Sequence, residues 1–442
     1  MKKIFIGILS VVATINAGQS STTVNALIMA NETWNPSGSP YILNGDCEIG
    51  SSAWLTILPG TRIVATGDYK LIIKGGIRAI GKKDSLISFD SMSVYLNNGK
   101  SYSHSDNSGS YFKYCSFFSY TTHGYMVATL NAAIGLDRCE FLHGYYGVYA
   151  QSADSAAVYL TYSTFKDKSY GYPVFGLHEN SLLYLVGNQF PYFGQIILGT
   201  RNIIKDNFFS GRGVPHGLYT QSQTEYAEIR CNHFLNLGYG LFAAGSSNGI
   251  LNLEIHENQF DSCKNIFVFL CNNLPLDSVH ISDNNLLNSF EYHVYMEGCS
   301  GQNIKKMDIK NNFWGTIDTN NIKKLIYDYY DNAILSWVID FDDYYSSPVS
   351  ACWPNHRQFI KTVTHHPVHS TVYPNPTFQT VEVDLPNGDW NLQWFDSKGS
   401  LLSQVQFFGS KCTLETPAPK GVFLLRWTGN GTAGSEIVMV QD

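Results

Sequence analysis

LYLVGNQF (residues 183–190) and LEIHENQF (residues 253–260) carry one pattern: an aliphatic residue, asparagine three positions later and phenylalanine two positions after that. Variants of this pattern return about every 25 residues between Phe112 and Trp314. So steady a period indicates a solenoid, whose units bury their apolar faces only by stacking on one another. The polar positions, which we name the ladder, are Cys115, Cys139, Ser163, Asn188, Asn207, Asn232, Asn258, Asn284 and Asn312.

Two kinds of solenoid have a period near 25 residues, the parallel β-helix and the leucine-rich repeat, and both quoted stretches also match the strand half of the latter. After the aromatic residue, however, the chain makes a glycine turn into a second strand-like run, as in HGYYGVYAQ (143–151) and YGLFAAG (239–245). β-Branched and aromatic residues of this kind favour strands over helices. We therefore predict an all-β chain whose main domain is a right-handed parallel β-helix.

The ladder has a structural interpretation. Stacked coils lie ~4.8 Å apart, so equivalent residues form columns through the solenoid. Asparagine tolerates the left-handed conformation of a tight turn, and its amide can pass hydrogen bonds from coil to coil. We predict that the six ladder asparagines stack at one inward corner, with Cys115 and Cys139 as buried thiols in the same column.

The N-terminus has the features of a secretory signal over residues 1–19: Met1-Lys2-Lys3, an apolar run too short to span a membrane, and small residues near Ala17. Charged residues make up 15% of the chain and its net charge is −7, so nucleic-acid binding has no electrostatic support. Of the nine cysteines, we expect most to be buried thiols. Cys271 and Cys299, about one coil apart, are a candidate disulfide.

The segments before and after the repeats resemble the opening and closing coils of secreted β-helix proteins with a pectate-lyase-like fold. The matching stretches are WNPSGSPY (34–41), LTILPGT (55–61), GIRAIG (76–81) and IKNNFWGT (309–316). The resemblance covers about residues 34–348 and implies an architecture rather than an activity. We expect a β-helix domain over 20–348, with strict repeats in 112–314 and a closing segment in 315–348. The polar segment Ser91–Ser110 is predicted to be a solvated loop.

Residues 349–370 lack strand alternation and indicate a linker, in which we expect His365, His366 and His369 to be solvated. Short alternating strands then predict a small antiparallel β-sandwich over 371–442. This tail resembles the C-terminal sorting domain of type IX secretion cargo, type A, in three features: Tyr373-Pro374-Asn375-Pro376, the turn Asp396–Gly399, and Gly421-Val422-Phe423. The resemblance implies that the type IX secretion machinery exports the chain to the outer surface of a Gram-negative bacterium or releases it.

One column of side chains is a candidate binding surface. If Val148 and its equivalents point inward in the second strand of each coil, alternation sends the next residue outward. The predicted outward residues are Tyr149, Phe175, Ile197, Tyr219, Phe242 and Tyr295. Because pyranose rings stack their C–H faces on aromatic rings, we predict a face that binds extracellular polysaccharide or a host surface, on a monomeric protein. The opposite phase, which would place these rings in the core, stays open.

Catalysis is the alternative function. Asp206, Arg212, His216 and Glu228 lie within neighbouring coils, but their spacing forces no two of them together. A polysaccharide lyase needs a base near carboxylates, which often hold Ca²⁺, and a glycoside hydrolase needs a pair of carboxylates. We predict a binding protein without metal or cofactor. A lyase, with Ca²⁺ as its cofactor, or a hydrolase of the pectate-lyase-like fold is the alternative.

Overall fold

The computed structural model describes residues 21–119, 124–151, 155–166, 172–177, 180–191, 195–211, 217–220, 224–244, 252–270, 275–300, 303–349, 352, 371–373, 380–396, 401–417, 421–429 and 432–440. The chain divides into two compact units, residues 1–352 and 353–442. The predicted signal peptide (1–19) and nearly all of the predicted linker (349–370) lie outside the described residues. Within them, no helix is long and apolar enough to cross a membrane.

The first unit is a parallel β-helix, built from a 23-stranded and an 11-stranded parallel sheet. The 11-stranded sheet carries the aliphatic residue of the repeats from Leu136 to Ile281. Its strands are Glu32–Trp34, Trp54–Ile57, Gly76–Ile80, Tyr111–Lys113, Ala133–Asp137, Ala156–Thr161, Ser181–Val186, Arg201–Lys205, Tyr226–Arg230, Asn252–His256 and Val279–Ser282.

The 23-stranded sheet runs along the rest of each coil and bends into two rows. Its strands in the opening coils are Thr22–Thr23, Leu27–Ile28, Tyr41–Leu43, Cys47–Ile49, Arg62–Ile73 and Ile87–Asn97. The phenylalanine row follows the ladder in Cys115–Ser119, Glu140–His143, Thr164–Lys166, Gln189–Pro191, Phe208–Ser210, His233–Leu235, Gln259–Asp261 and Asn285–Leu286. The tyrosine row comprises Tyr125–Leu130, Tyr146–Gln151, Tyr172–Leu177, Ile196–Ile197, Leu218–Tyr219, Tyr239–Ala244, Cys263–Leu270, Ser289–Glu297 and Ile326–Tyr327.

These strands decide between the two solenoids. Each phenylalanine is followed by a strand of the tyrosine row, where a leucine-rich repeat would place a helix. The all-β parallel β-helix predicted from the repeat is therefore confirmed. Helical segments among the described residues are one α-helix, Thr319–Lys324, and the 3₁₀ turns Pro36–Gly38 and Leu276–Ser278.

The ladder side chains are buried and join the coils by hydrogen bonds. The backbone N–H of each ladder asparagine from Asn188 to Asn284 donates to the side-chain oxygen of the next one, at 2.9 Å. Towards the N-terminus the same bond runs from Cys139 N to Ser163 Oγ at 2.9 Å. The interior of the solenoid thus contains a continuous column in which buried N–H groups find acceptors.

One detail of the expected turn is wrong. The left-handed conformation belongs to the residue before each ladder position, as at Arg138 (φ 53°), Asp206 (φ 57°) and Glu257 (φ 58°). This residue makes the sharp bend and points outward, which leaves the ladder side chain free to point inward and bond to the neighbouring coils. We name these positions the corner: Tyr114, Arg138, Tyr162, Gly187, Asp206, Cys231, Glu257, Asp283 and Asn311.

The aromatic positions of the repeat form the core. Phe117, Phe141, Phe165, Phe190, Phe209, Phe234 and Phe260 are at most 1% exposed, and neighbouring rings stack with centroids 4.4–5.2 Å apart. Trp314 is buried at the C-terminal end, where the strands Lys305–Asp308 and Trp337–Asp340 form a separate parallel pair.

The prediction of a solvated loop over Ser91–Ser110 is correct only in part, because the exposed residues of the segment lie within 98–108. Its first seven residues belong to the strand Ile87–Asn97, and the rest folds over the outer face of the 11-stranded sheet. There the Tyr102 ring is 7% exposed and stacks on Tyr111 at 5.3 Å, while His104 stacks on Tyr159 at 5.2 Å. Its aromatic side chains make this segment a cover for the sheet.

Of the eight cysteines among the described residues, half rather than the predicted majority are buried free thiols: Cys47, Cys115, Cys139 and Cys263. Cys231 and Cys352 form a disulfide that the sequence did not predict. Cys299 is also disulfide-bonded, and its predicted partner Cys271 lies outside the described residues.

The second unit is a small antiparallel β domain, as predicted from its alternating strands. Five strands build it: Thr371–Tyr373, Thr380–Phe395, Leu401–Glu415, Gly421–Gly429 and Thr432–Val440. The long strand Thr380–Phe395 continues through a register shift between Asp384 and Gly388. Trp390, Trp394 and Trp427 belong to its core, each at most 3% exposed.

Candidate functional site

The predicted outward residues form one register column on the tyrosine row. We name it the outer column: Tyr95, Ala128, Tyr149, Phe175, Ile197, Tyr219, Phe242, Val268, Tyr295 and Tyr327. The residue before each predicted ring points into the core: Val148, Val174, Leu218, Leu241 and Val294 are at most 1% exposed. The rings therefore stand on the outer face of the row.

Tyr149 stands on this face but is not accessible. Its ring lies between Tyr125 and Phe175, with centroids 4.3 and 5.4 Å away, and the residue is 4% exposed. Burial, followed by the charge of Tyr125, raises the pKa of the Tyr149 hydroxyl. The register partner one coil earlier is the small Ala128, which leaves room for Tyr125 to lie over the ring. The prediction of an exposed Tyr149 is therefore wrong, and Ile197 is likewise 4% exposed.

The other predicted rings are half-buried and present one surface to solvent: Phe175, Tyr219, Phe242 and Tyr295. Tyr219 stacks on Phe242 with centroids 5.1 Å apart and planes 17° apart. Tyr295 stacks on Tyr327 at 4.9 Å and 19°. Rigid, parallel aromatic surfaces of this kind match the flat C–H faces of sugar rings.

A second set of rings flanks the outer column and was missed in the sequence. Tyr146, Tyr172, Tyr239 and Tyr292 each stand three residues before an outer-column ring, and Tyr172, Tyr239 and Tyr292 contact that ring at 5.3–5.6 Å. In the sequence, these flanking rings could have been found from a repeated Tyr-x-[Val/Leu]-aromatic motif within the tyrosine-row strands. Gly147 occupies its second position because a Cβ there would collide with the carbonyl oxygen of Pro173 in the next coil.

Polar groups border these rings at the C-terminal end of the row. Lys264 and Glu291 form an exposed ion pair at 3.2 Å. Asn265 accepts a hydrogen bond from the backbone N–H of Tyr292 at 3.0 Å and donates to Glu291 at 3.4 Å. Aromatic faces beside such donors and acceptors can bind a ligand that has both C–H surfaces and hydroxyl groups.

The candidate catalytic residues do not form one group. Asp206 lies at the corner, with its carboxylate 3.9 Å from Lys205 Nζ. Glu228 lies on the outer face of the 11-stranded sheet. Its register partner on the neighbouring strand is Ile203, and Ile203 stands three residues before Asp206 in the chain. Arg212 and His216 lie outside the described residues.

The structure gives Glu228 a different neighbour. Glu254 is its register partner on the adjacent strand, and His280 is the partner of Glu254. Both carboxylates are half-buried, and burial followed by their charges raises the pKa of Tyr226. The signal was present in the repeat, because both glutamates immediately precede its aliphatic residue. A glycoside hydrolase uses a pair of carboxyl groups, and these two glutamates are such a pair by strand register.

Within the described ranges, one group of three or more His, Cys, Asp or Glu side chains brings its ligand atoms within 4.8 Å of one another: Cys231, Glu257 and Cys352 at the corner. Of the sorting motif, Pro374, Asn375 and Pro376 lie outside the described residues, and the backbone of Tyr373 ends the strand Thr371–Tyr373.

Comparisons with protein-family models, curated proteins and solved structures find no match to this chain.

Proposed function

We propose that the protein is exported and sorted to the cell surface, or released, and that it binds extracellular glycans through the tyrosine row. The observation that carries the binding proposal is the outer column, with half-buried rings at Phe175, Tyr219, Phe242 and Tyr295. Flanking tyrosines widen this surface, and the β-helix holds each ring on a strand that is paired on both sides. The ligand class is a polysaccharide or host-surface glycan, and neither metal nor cofactor is needed for stacking.

The size of the effect follows from the number of rings. An aromatic contact contributes about 0.5–1.5 kcal/mol beyond the area that it buries. Removing three rings therefore costs about 3 kcal/mol of binding free energy, or roughly a 100-fold loss of affinity. The rings are not core residues, so the melting temperature should change little.

The experiment is a glycan array probed with the wild type and with the triple variant Tyr219→Ala, Phe242→Ala, Tyr295→Ala. A matched control replaces two exposed tyrosines off the tyrosine row, Tyr162 (51% exposed) and Tyr330 (81% exposed), by alanine. We expect the triple variant to lose retention and the control to keep it. Equal retention by all three proteins would refute the binding face.

The export part of the proposal rests on the signal-like N-terminus and on the resemblance of residues 371–442 to a sorting domain. Deleting 371–442 should leave the first unit folded, because the hydrophobic core of each unit is separate, and should trap it in the periplasm. Fractionation of an expressing Gram-negative host that has the type IX machinery tests this. Surface display of the truncated protein would show that the tail is not the sorting signal.

Hydrolysis of a glycan is the second candidate function, favoured by the pairing of Glu228 with Glu254. Here the glutamates would act as general acid and as nucleophile or base. Release of reducing sugar from a polysaccharide retained on the array, lost in both Glu228→Gln and Glu254→Gln but kept in the triple ring variant at high substrate concentration, would establish it. Release that survives both substitutions would exclude this pair.

A further inference from the structure

The charged side chains of the tyrosine row lie towards its C-terminal end. In the strands of the row given above, the Lys, Arg, Asp and Glu residues are Lys264, Glu291 and Glu297. Along these strands, two carboxylates and one ammonium group therefore stand beside the rings for which we propose glycan binding. Their partners and their direction decide which charge a ligand would meet.

A β-bulge brings Glu291 to Lys264. Between the register pairs that flank the bulge, the strand Ser289–Glu297 contains one residue more than its partner Cys263–Leu270. An extra residue in one strand re-aims the side chains around it. Glu291 Oε1 lies 3.2 Å from Lys264 Nζ, and Glu291 Oε2 accepts a hydrogen bond from Asn265 Nδ2 at 3.4 Å. The ammonium group is thus already paired within the protein, and an anionic ligand would have to compete with Glu291 for it.

Glu297 stands on the same face as the rings. It follows Tyr295 by two positions in an alternating strand, and the buried Met296 lies between them. The Glu297 side chain is exposed, and none of the ion pairs among the described residues includes it. Its carboxylate therefore leaves this end of the row with a net negative charge.

The Tyr295 hydroxyl lies within the field of both carboxylates. Burial, followed by the charge of Glu297, raises the pKa of this hydroxyl, and the charge of Glu291 acts in the same direction. Both carboxylates disfavour the phenolate because they repel a second negative charge. A carboxylate or sulfate group of a ligand stacked on Tyr295 would meet the same repulsion, whereas a neutral hydroxyl group would not.

We propose that the tyrosine row binds neutral polysaccharides and rejects uronate and sulfated ones, and that Glu291 and Glu297 set this specificity. The inference rests on the proposed glycan binding and narrows its ligand to one class. Neutral hexoses stack their C–H faces on aromatic rings, and their hydroxyl groups can bond to the side chains of Glu291 and Asn265. Rejection comes from like charges placed beside the rings, a common means of excluding a competing ligand. A row with this preference would not hold the uronate substrate of the lyase alternative.

A glycan array that carries neutral hexose, uronate and sulfated oligosaccharides tests this preference. Row-dependent ligands are those that the wild type retains and that the triple variant Tyr219→Ala, Phe242→Ala, Tyr295→Ala loses. We expect these ligands to be neutral, with equal retention at about 0.1 M and about 1 M NaCl, since salt screens only interactions between charges. Row-dependent retention of uronate or sulfated glycans, or a steep loss of retention at high salt, would overturn the inference and leave glycan binding intact. An array without row-dependent ligands would refute glycan binding itself, and the inference with it.

The double variant Glu291→Gln, Glu297→Gln tests the two carboxylates. It removes both negative charges, keeps the size of each side chain and frees Lys264 for an anionic ligand. We expect its affinity for uronate oligosaccharides, relative to neutral ones, to rise about tenfold or more at low salt. The matched control Asp90→Asn, Glu140→Gln removes two ion-paired carboxylates whose register partners are on the phenylalanine row, and its affinity ratio should equal that of the wild type. With folding confirmed by circular dichroism, an unchanged ratio in the double variant, or an equal rise in the control, would overturn the role of Glu291 and Glu297.

Discussion

Asn258 offers a direct test of how the ladder stabilises the solenoid. Its Oδ1 accepts hydrogen bonds from the backbone N–H and the Nδ2 of Asn232, at 2.9 and 3.0 Å. Its own Nδ2 donates to the carbonyls of Ile229 and His256 and to Asn284 Oδ1, at 2.7–3.0 Å. Replacement by leucine keeps the size of the side chain and removes all five bonds. The buried N–H of Asn232 then has no acceptor.

The magnitude follows from these contacts. A buried donor without a partner costs about 1–3 kcal/mol, and the other lost bonds add about 1 kcal/mol net, so Asn258→Leu should destabilise its coils by about 2–4 kcal/mol. The chain supplies its own control, because Ser163 occupies the same column and its Oγ accepts the N–H of Cys139 at 2.9 Å. Asn258→Ser keeps an acceptor for Asn232 and should cost about 1 kcal/mol, from the lost amide bonds.

Hydrogen exchange at the Asn232 amide, with the urea midpoint as a second measure, distinguishes the two variants. Each repeat of a solenoid contacts mainly its neighbours, so the loss should be largest in the coils around Asn258. We expect exchange in Asn258→Leu to be roughly 30- to 700-fold faster than in the wild type, with a much smaller increase in Asn258→Ser. Equal exchange rates in the two variants would refute the claim that the acceptor at this position stabilises the stack.

Three other substitutions test separate features. His293 is buried, neither ring nitrogen has a hydrogen-bond partner among the described residues, and burial lowers its pKa from 6.5 to about 3. Because the fold favours the neutral imidazole, the unfolded chain binds one more proton than the folded chain between pH 6.5 and pH 3. The free energy of unfolding should therefore fall by about 1.4 kcal/mol for each pH unit from pH 6.5 down to pH 3. The urea midpoint should change less with pH in His293→Phe than in the wild type. Replacing the exposed His280 by asparagine should leave the change of the midpoint with pH as it is in the wild type. Tyr149→Ala should lower the free energy of unfolding by about 3–5 kcal/mol, since the ring is buried, and a melting temperature equal to that of the wild type would contradict its burial. Gly147→Ala should unfold at lower urea concentration than Gly240→Ala, because its Cβ would approach the Pro173 carbonyl oxygen of the next coil more closely than a Cβ at Gly240 approaches the Phe260 ring (2.7 Å) or the Ile266 carbonyl oxygen (2.8 Å); the reverse order would show that the backbone at Gly147 can shift.

The side chains that meet on the candidate functional surfaces belong to neighbouring coils, so their contacts cannot be predicted from the sequence of one repeat. Alternation placed Tyr149 and Tyr219 on the same outer face, yet Tyr149 is covered and Tyr219 is half-exposed. The difference comes from Tyr125, which lies over Tyr149 beside the small Ala128. Likewise, Glu228 and Glu254 became a pair through the register of their strands, and their shared position in the repeat was a signal that sequence reasoning overlooked.

The repeated pattern was sufficient to predict the parallel β-helix and the inward ladder, because stacking repeats a local pattern and each coil must bury the same positions as its neighbours. It did not determine that the left-handed residue precedes Asn258, since this depends on how the chain bends at the corner. The folded chain alone shows which outward rings are exposed and that Cys231, Glu257 and Cys352 converge. Such groups meet across neighbouring coils or across 121 residues of chain. Their contacts are therefore set by the path of residues 345–352 and by the side chains of neighbouring coils, and the local pattern does not contain that information.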